Sequence, residues 1–563
     1  MLAIVALLCA NLPYLLGYLW TPNGATFTGL TYNQDDGAVY LSWIREASEG
    51  NFFFTNRFTT EPQKGLLVNV FFYALGIIGL VTHLSPPIIY AGARIVFGAL
   101  LLWALWRLVT TFLPERRAQL TAFALLCFAA GFGFGSDFDP RYAYEQPIDR
   151  WQPEAITFLT LYYTPLFAAA LALMAVFAAS FFRAEQTGEL RDVLPACVAG
   201  FLLGNFHSYD ILQLFAFAAM YRVTSDILAK QFNGAGYVRL AVIGLSMLPT
   251  AGYQLYAVRN EAVFNARVFD TSTLSPSPVW VLAGFGLPLL LAVFAPFAAK
   301  AKLTPDALRL LLVWAVVAVG ISYVPVSFQR KLLMGAHLPI CLLAGATLAA
   351  VTEKLSGSLP AIATAFAVLL TSLSNVRFVL RDITNLPQNA AGTQNRPYLL
   401  KAEADALRFL RETAKPGDAV LVSPDLIAHR YGAPPLLPYL AAYVPAYSSA
   451  TCYAGHWSET AEFQTRKLGG QLRFFRADTP DDFRQNLLQT NPSVRYIVYA
   501  NQTAAGLTNS RGELLIGDNG APFFVGVDWT TPEQLPPYLS VAYRNESITI
   551  FGVRANDGTA NTP

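Results

Sequence analysis

Runs of about 20 apolar residues recur along most of this chain, the length an α-helix needs to cross a bilayer at ~1.5 Å rise per residue. They lie at 2–20, 87–110, 119–135, 156–182, 193–207, 210–229, 238–256, 279–299, 306–325, 333–351 and 358–376. In hydrocarbon each segment must satisfy its own backbone polar groups, so such runs are committed to helix. Composition agrees: 13% of the 563 residues are charged, against about 25% in a soluble domain. The expected class is an α-helical polytopic membrane protein with about eleven transmembrane helices. Residues 1–20 lack a basic leading segment and a small-residue cleavage site, so they read as a retained first span.

One further apolar run, 66–81, is shorter and is expected to lie on the membrane surface. Charge supports that reading, because short cytoplasmic loops collect Lys and Arg. With the N-terminus inside, the inner loops carry Arg116 and Arg117, Arg183 and Arg191, Lys230 and Arg239, then Lys300, Lys302, Arg309 and Lys354. Making 66–81 a span would move Arg116 and Arg117 outside. The outer loops 21–65, 136–155 and 257–278 are longer and richer in acids, aromatics and Pro. The C-terminus is then extracytoplasmic.

Residues 1–384 thus form a transmembrane domain. The Asn-, Gly-, Gln- and Pro-rich stretch at 385–398 reads as a linker. Residues 399–555 read as an extracytoplasmic soluble α/β domain, with helices at 400–413 and 481–489, strands at 419–422 and 494–499, and a hairpin at 539–543 and 547–553. Residues 556–563 are expected to be a disordered tail. Of the five cysteines only Cys452 lies in a polar region, and no metal-type Cys/His spacing occurs. Basic residues are scattered, with no stripe for nucleic acid.

The most informative stretch is Tyr32-Asn33-Gln34-Asp35-Asp36-Gly37-Ala38-Val39-Tyr40, just past the first span. Asp36 opens an amphipathic segment, 37–49, suited to the membrane interface. Adjacent carboxylates raise each other's pKa, so one can act as a base near neutral pH. Such a pair also suits a divalent cation, Mg2+ or Mn2+. Equally, Asp36 can be a helix N-cap with Asp35 solvated. Other polar groups stand at the expected outer face: Glu61 in Phe58-Thr59-Thr60-Glu61-Pro62-Gln63, Glu154 in Trp151-Gln152-Pro153-Glu154-Ala155, His207-Ser208-Tyr209-Asp210, and Phe328-Gln329-Arg330-Lys331. Polar groups near membrane depth are functional candidates. They also have plainer roles: Arg330 and Lys331 can snorkel to headgroups, His207 and Asp210 can pair and brace two helices, and Glu154 can cap the next helix. His83 and His337 read as interfacial and structural, and the charged loop 137–150 as a solvated face.

An acidic pair after the first span, an amphipathic helix, a second interfacial helix and many spans together resemble the GT-C superfamily of membrane glycosyltransferases. The local stretches agree, as does Gly455-His456-Trp457-Ser458-Glu459-Thr460, which is similar to a segment bacterial members carry after the last span. The resemblance implies an inverting hexosyl or pentosyl transferase of the cell envelope, in a prokaryotic plasma membrane. It implies a polyprenyl-phosphate-linked sugar donor and a glycan, lipid or protein acceptor. Asp36 would activate the acceptor hydroxyl with Asp35 as its partner. Arg330 and Lys331 would hold the donor phosphate, and His207, Tyr209, Asp210, Glu154 and Glu61 would bind or support substrate. The pair is Asp-Asp where the superfamily has Asp-x-Asp, so the resemblance does not decide metal use. A transporter and a non-catalytic surface-assembly protein are the alternatives; against the first, few ionisable residues lie near span centres.

Overall fold

The computed structural model describes residues 1–135, 137, 140–265, 272–387, 396–424, 439–463, 469–506, 513, 516, 520, 522 and 524–554. The expected tail at 556–563, residues 388–395 of the expected linker, Asp139 and the Arg141 side chain lie outside them. The membrane part comprises α1 (Leu2–Leu19), α2 (Gln34–Ser48), α3 (Val70–Thr82), α4 (Pro86–Phe112), α5 (Arg116–Phe128), α6 (Thr157–Tyr163), α7 (Pro165–Thr187), α8 (Leu194–Phe206), α9 (Asp210–Ala229), α10 (Gly234–Asn260), α11 (Pro278–Val293), α12 (Ala295–Ala298), α13 (Pro305–Gly320), α14 (His337–Thr352) and α15 (Leu359–Asn385). The C-terminal part adds α16 (Lys401–Thr413), α17 (Tyr439–Tyr447), α18 (Gly469–Phe475) and α19 (Asp481–Thr490).

Among the described residues nine helices are long and apolar enough to span a membrane, two fewer than expected. The runs at 119–135 and 193–207 form α5 and α8, of 13 residues each, about 20 Å long. Helix α5 stops at Phe128 because the chain turns aside to pack on α11. A Cβ on Gly131 would sit 2.3 Å from the Ala283 and Gly284 carbonyl oxygens. The buried Asp149 carboxylate fixes this bend by accepting the Gly131 and Gly133 N–H groups, both at 3.0 Å. The expected span 156–182 is also broken. Thr164 is extended, its hydroxyl accepts the Leu166 N–H, and Pro165 starts α7, the position where a missing N–H costs nothing. Helix α14 is enclosed by the others from His337 to Ala349. At the rim, Leu8 and Phe366 are each 66% exposed, as lipid-facing side chains are. His337 is not interfacial: it is buried in α14 against the Thr157 hydroxyl (2.9 Å) and the Cys341 sulfur (3.3 Å).

The basic loops expected to share one side do so. Lys302 pairs with Glu115 and Glu353, Arg117 donates to Thr352, Arg222 and Arg239 pair with Glu185, and Arg309 donates to Ser225. These contacts lie at the end of α4 opposite the first loop, since Gly29 packs on Pro87 while Glu115 follows Phe112.

Helix α2 differs most from expectation. It lies between α3 and α17, with Ala38, Leu41, Ile44 and Ala47 buried on one side and Arg45 donating to the Pro445 carbonyl on the other. Its N-cap is Asn33, in the left-handed region at φ 50°, so Asp36 is inside the first turn and is not the cap. Helix α3 follows an Asn69 cap that accepts the Phe71 and Phe72 N–H groups, and at 13 residues it is too short to span.

The soluble part carries a five-stranded sheet in the order β4-β3-β5-β7-β6: β3 (Ala419–Val422), β4 (Thr451–Cys452), β5 (Val494–Ala500), β6 (Leu539–Arg544) and β7 (Ile548–Val553). Strand β3 pairs in parallel with β4 and β5, and β7 pairs antiparallel with β5 and β6. With its helices this is the expected α/β arrangement, over an aromatic core of Phe474, Phe475, Tyr499, Trp529 and Phe551. A two-stranded ribbon ties this part to the first loop: β1 (Ala25–Phe27) pairs antiparallel with β2 (Tyr398–Leu400), Thr26 opposite Leu399.

Candidate active site

The ribbon and α2 bring the C-terminal part over the acidic pair. Arg57 N–H donors and carbonyl face Ser449 and Cys452, Thr59 bridges to Ala454, and the Asn56 amide donates to the Glu459 carbonyl at 2.7 Å. His456 is thereby inserted, fully buried, with its Nε2 3.2 Å from Asp36 Oδ1 and 3.7 Å from Asp35 Oδ2. Its Nδ1 accepts the backbone N–H groups of Ser458 (3.1 Å) and Glu459 (3.2 Å). An acceptor Nδ1 places the ring proton on Nε2, the nitrogen nearer the carboxylates. On the other side of Asp36, the Asn33 amide donates to Oδ2 and also to the Tyr163 hydroxyl (2.9 Å), which lies 3.5 Å from Oδ2.

Electrostatics follow from this packing. Burial pushes the Asp35 carboxyl up, the Asp36 charge adds to that, and His456 opposes both. For His456, burial acts downward, but the hydrogen bond to Asp36 and the charges of Asp35, Asp36 and Glu459 outweigh it and raise its pKa above 6.5. His456 and Asp35 thus each hold a proton more tightly than they would in water, side by side at Asp36.

Two aromatic routes lead away from the pair. In the first, Tyr32 packs on Tyr163 (ring centres 5.8 Å apart) and donates to the Trp151 carbonyl at 2.8 Å. The Arg330 guanidinium stands 5.1 Å from the Trp151 ring, and the Gln152 amide donates to the Arg330 carbonyl at 2.8 Å. In the second, Tyr163 meets Phe167 (5.5 Å), Phe167 meets His207 (5.3 Å), His207 meets Tyr209 (5.5 Å), and Lys331 Nζ lies 4.7 Å from the Tyr209 ring. The sequence motifs at 32–36, 151–154, 207–210 and 330–331 therefore line one continuous region.

Within that region His207 and Asp210 pair with each other, Nδ1 to Oδ2 at 3.0 Å, bracing the turn from α8 to α9. Glu154 is half-buried in a short turn at Pro153–Ala155. Glu61 lies elsewhere, on a separate cleft at the edge of the soluble part. Among the described residues, no group of three or more His, Cys, Asp and Glu side chains is arranged to hold a metal. His456 offers the pair an N–H and not a lone pair, so among the described residues Asp35 and Asp36 are the carboxylates at this point, short of the set a hard cation takes. The protein residues present do not by themselves fit Mg2+ or Mn2+.

Several side chains were not singled out from sequence. Tyr163 escaped because 156–182 reads as one span, although the Thr164-Pro165 break was visible. Asp382 and Arg381 fell beyond the expected end of the last span, yet α15 runs on to Asn385. Asp382 accepts from Tyr162 and pairs with Arg381 at 2.8 Å, and Arg381 sits 5.3 Å from the Tyr32 ring. Arg94, a cation within the apolar run 87–110, is 1% exposed and lies 3.2 Å from the Tyr14 ring centre.

No protein-family model matches this sequence, and no curated protein matches it. Solved structures do match. The arabinofuranosyltransferase AftD from Mycobacteria aligns over 98% of this chain at 15% identity, with a TM-score of 0.55. This chain spans only 40% of AftD's length. ArnT from Cupriavidus metallidurans, in a structure bound to undecaprenyl phosphate, aligns over 98% of both chains at 11% identity, with a TM-score of 0.50. At such identities the likeness is one of fold: this chain is a polytopic membrane protein whose fold is similar to those of AftD and ArnT.

Proposed function

We propose that this protein is an inverting membrane glycosyltransferase that moves a sugar from a polyprenyl-phosphate donor to an acceptor hydroxyl on the side of the C-terminal part. The observation that carries the reading is the setting of Asp36: held by Asn33, faced by His456 from a distant part of the chain, and joined to Arg330 and Lys331 by aromatic side chains. Asp36 accepts the proton of the acceptor hydroxyl as its oxygen attacks the anomeric carbon. The bond from that carbon to the phosphate oxygen breaks, and the electron pair leaves with polyprenyl phosphate. Arg330 and Lys331 stabilise the charge that grows on the phosphate. Phosphate is a good leaving group, so a weak carboxylate base suffices. His456 orients Asp36, and Tyr32, Tyr163 and Phe167 flank the sugar. The isoprenoid stays in lipid beside the spans. The GT-C-type fold, and the undecaprenyl phosphate in ArnT, support a lipid-phosphate donor. The cytoplasmic N-terminus and a prokaryotic plasma membrane belong to the same proposal.

The test uses purified protein in nanodiscs, offered a panel of polyprenyl-phosphate sugars with and without Mg2+ or Mn2+. Release of free polyprenyl phosphate by wild type, lost in Asp36→Asn and reduced in Arg330→Ala, is the expected result. No release from any donor by a folded protein that binds none of them overturns the proposal.

A further inference from the structure

Asp149, in the loop between α5 and α6, is a fully buried carboxylate that the mechanism above does not use. Its Oδ2 accepts the backbone N–H groups of Gly131 and Gly133, both at 3.0 Å. Its Oδ1, and the hydroxyl of Ser374 that stands beside it on α15, are buried without a hydrogen-bond partner. The fit around this turn is tight. A Cβ on Gly133 would lie 2.6 Å from Asp149 Oδ1, and one on Gly284 of α11 would lie 2.2 Å from the Ile148 side chain. Bonds from N–H groups to a charged oxygen are about twice as strong as neutral ones, so the charge of Asp149 is what grips the two glycines.

The same turn carries residues that face the donor side of the site. The Trp151 N–H (3.2 Å) and the Gln152 N–H (2.9 Å) both donate to the Ile148 carbonyl, which makes 148–152 one hydrogen-bonded piece. The Trp151 carbonyl accepts from the Tyr32 hydroxyl and the Gln152 amide donates to the Arg330 carbonyl, each at 2.8 Å. The Trp151 ring stands 5.1 Å from the Arg330 guanidinium. Asp149 is thus next but one to a residue that touches both Tyr32 and Arg330. We infer that Asp149 is a positioning residue: its negative charge holds the turn at 148–152 on Gly131 and Gly133, and the turn so held sets Tyr32 and Arg330 where the donor phosphate is met. For the donor this rests on the glycosyltransferase reading, and for the turn on the contacts of Asp149 alone.

Burial pushes the Asp149 carboxyl up to about 6, against the Ser374 hydroxyl, the Gly133 N–H and the Arg150 charge, which pull it down. Among the described residues, the other charged groups on the elements packed around the turn are Arg377, Arg381 and Asp382 on α15, Glu154 in the turn at Pro153–Ala155, and Arg330 past Gln152; α11 and Gly133–Gly135 carry none. Asp137 pairs with Arg377. The folded carboxyl holds its proton more tightly than the unfolded one, so its contribution to stability is full below 3.8 and is lost as the pH rises through about 6. At neutral pH the charge therefore costs stability while it fixes the turn, which separates positioning from a role in stability alone.

The test compares wild type in nanodiscs with the isosteric Asp149→Asn, which keeps an acceptor oxygen and removes the charge. Amide hydrogen exchange is measured with no donor present and corrected for intrinsic rates. At about pH 7.5 it is expected to be about tenfold faster in the variant over 131–133, 148–152 and 329–333. Wild type is expected to approach the variant's rates at about pH 5. The unfolding midpoint of the variant at neutral pH is expected to be no lower than that of wild type. With a donor that wild type cleaves, Asp149→Asn is expected to lower kcat/KM about tenfold, to lose the part of the pH profile centred on Asp149, and to add little in an Arg330→Ala background. Unchanged exchange over 131–133 and 148–152 overturns the inference, and so does a lowered midpoint with activity falling in parallel. Faster exchange with full donor cleavage, or an effect undiminished in the Arg330→Ala background, overturns the step from the turn to Arg330. If wild type cleaves no donor, the transferase reading alone fails, and exchange over 329–333 still decides whether Asp149 positions Arg330.

Discussion

Asp36 is held from two directions, by the Asn33 amide within its own turn and by His456 from more than 400 residues away. Replacing it by Asn is expected to lower turnover by about 10²–10⁴, the usual contribution of a general base. His456→Gln keeps an N–H donor and is expected to retain more activity than His456→Ala; equal loss in kcat for both would show that orientation is not what His456 supplies. The pH dependence has a definite sign. The His456 pKa is raised in the folded protein, so its contribution to stability is full below pH 6.5 and is lost as the pH rises through the folded value. Asp35 is raised as well, so it too favours the fold at lower pH. The unfolding midpoint of wild type is therefore expected to fall as pH rises above neutrality, and His456→Gln to flatten that fall. A wild-type curve that instead rises over this range contradicts the raised pKa of His456. The acidic pair itself was legible in sequence from its position just past the first span. His456 stood out in sequence within the stretch Gly455–Thr460, but nothing local connects it to residue 36.

Elements show why a span count from hydropathy overshoots. The runs that form α5 and α8 are apolar enough, but helix continuation is decided by neighbours: Gly131 and Gly133 are used for close approach to α11 and to Asp149 and Arg150, which ends α5. The pairing of α2 with α3 depends on a similar approach. A Cβ on Gly76 would lie 2.1 Å from that of Ala47 and 2.9 Å from the Ile44 carbonyl oxygen. Gly76→Val is expected to push the two helices apart, at a cost of about 1–3 kcal/mol, and to lower both the unfolding midpoint and donor cleavage, since Asp36 is carried on α2. An unchanged midpoint would mean that the α2–α3 contact is looser than these distances imply.

At the scale of the whole molecule, the C-terminal part is joined to the first loop by the β1–β2 ribbon, by Arg45 to Pro445 and by Asn56 to Glu459. Thr28 donates both its N–H (2.9 Å) and its hydroxyl (3.0 Å) to the Pro397 carbonyl at the ribbon's end. Thr28→Pro removes the N–H and is expected to increase protease cleavage between residues 386 and 400 and to reduce activity in step with His456→Ala. Deleting 386–563 removes His456 altogether and is expected to abolish donor cleavage as Asp36→Asn does. Full donor cleavage by the truncated chain would contradict a composite site.

By itself the sequence determined the membrane class, the grouping of basic loops at one end, two helices (α16 and α19) and four strands (β3, β5, β6 and β7) of the soluble part, and the acidic pair. Each of these follows from short-range rules: the free energy of apolar segments in lipid, the periods of helix and strand, and the charge of neighbouring residues. Only the tertiary structure decided that α2 is enclosed on both sides, that α5 and α8 end early, that Tyr163 and His456 meet Asp36, and that Glu61 belongs to a second cleft. Those outcomes depend on packing between different elements, some more than 400 positions apart, where a single carbonyl or missing Cβ sets the geometry and no local pattern in the chain records it.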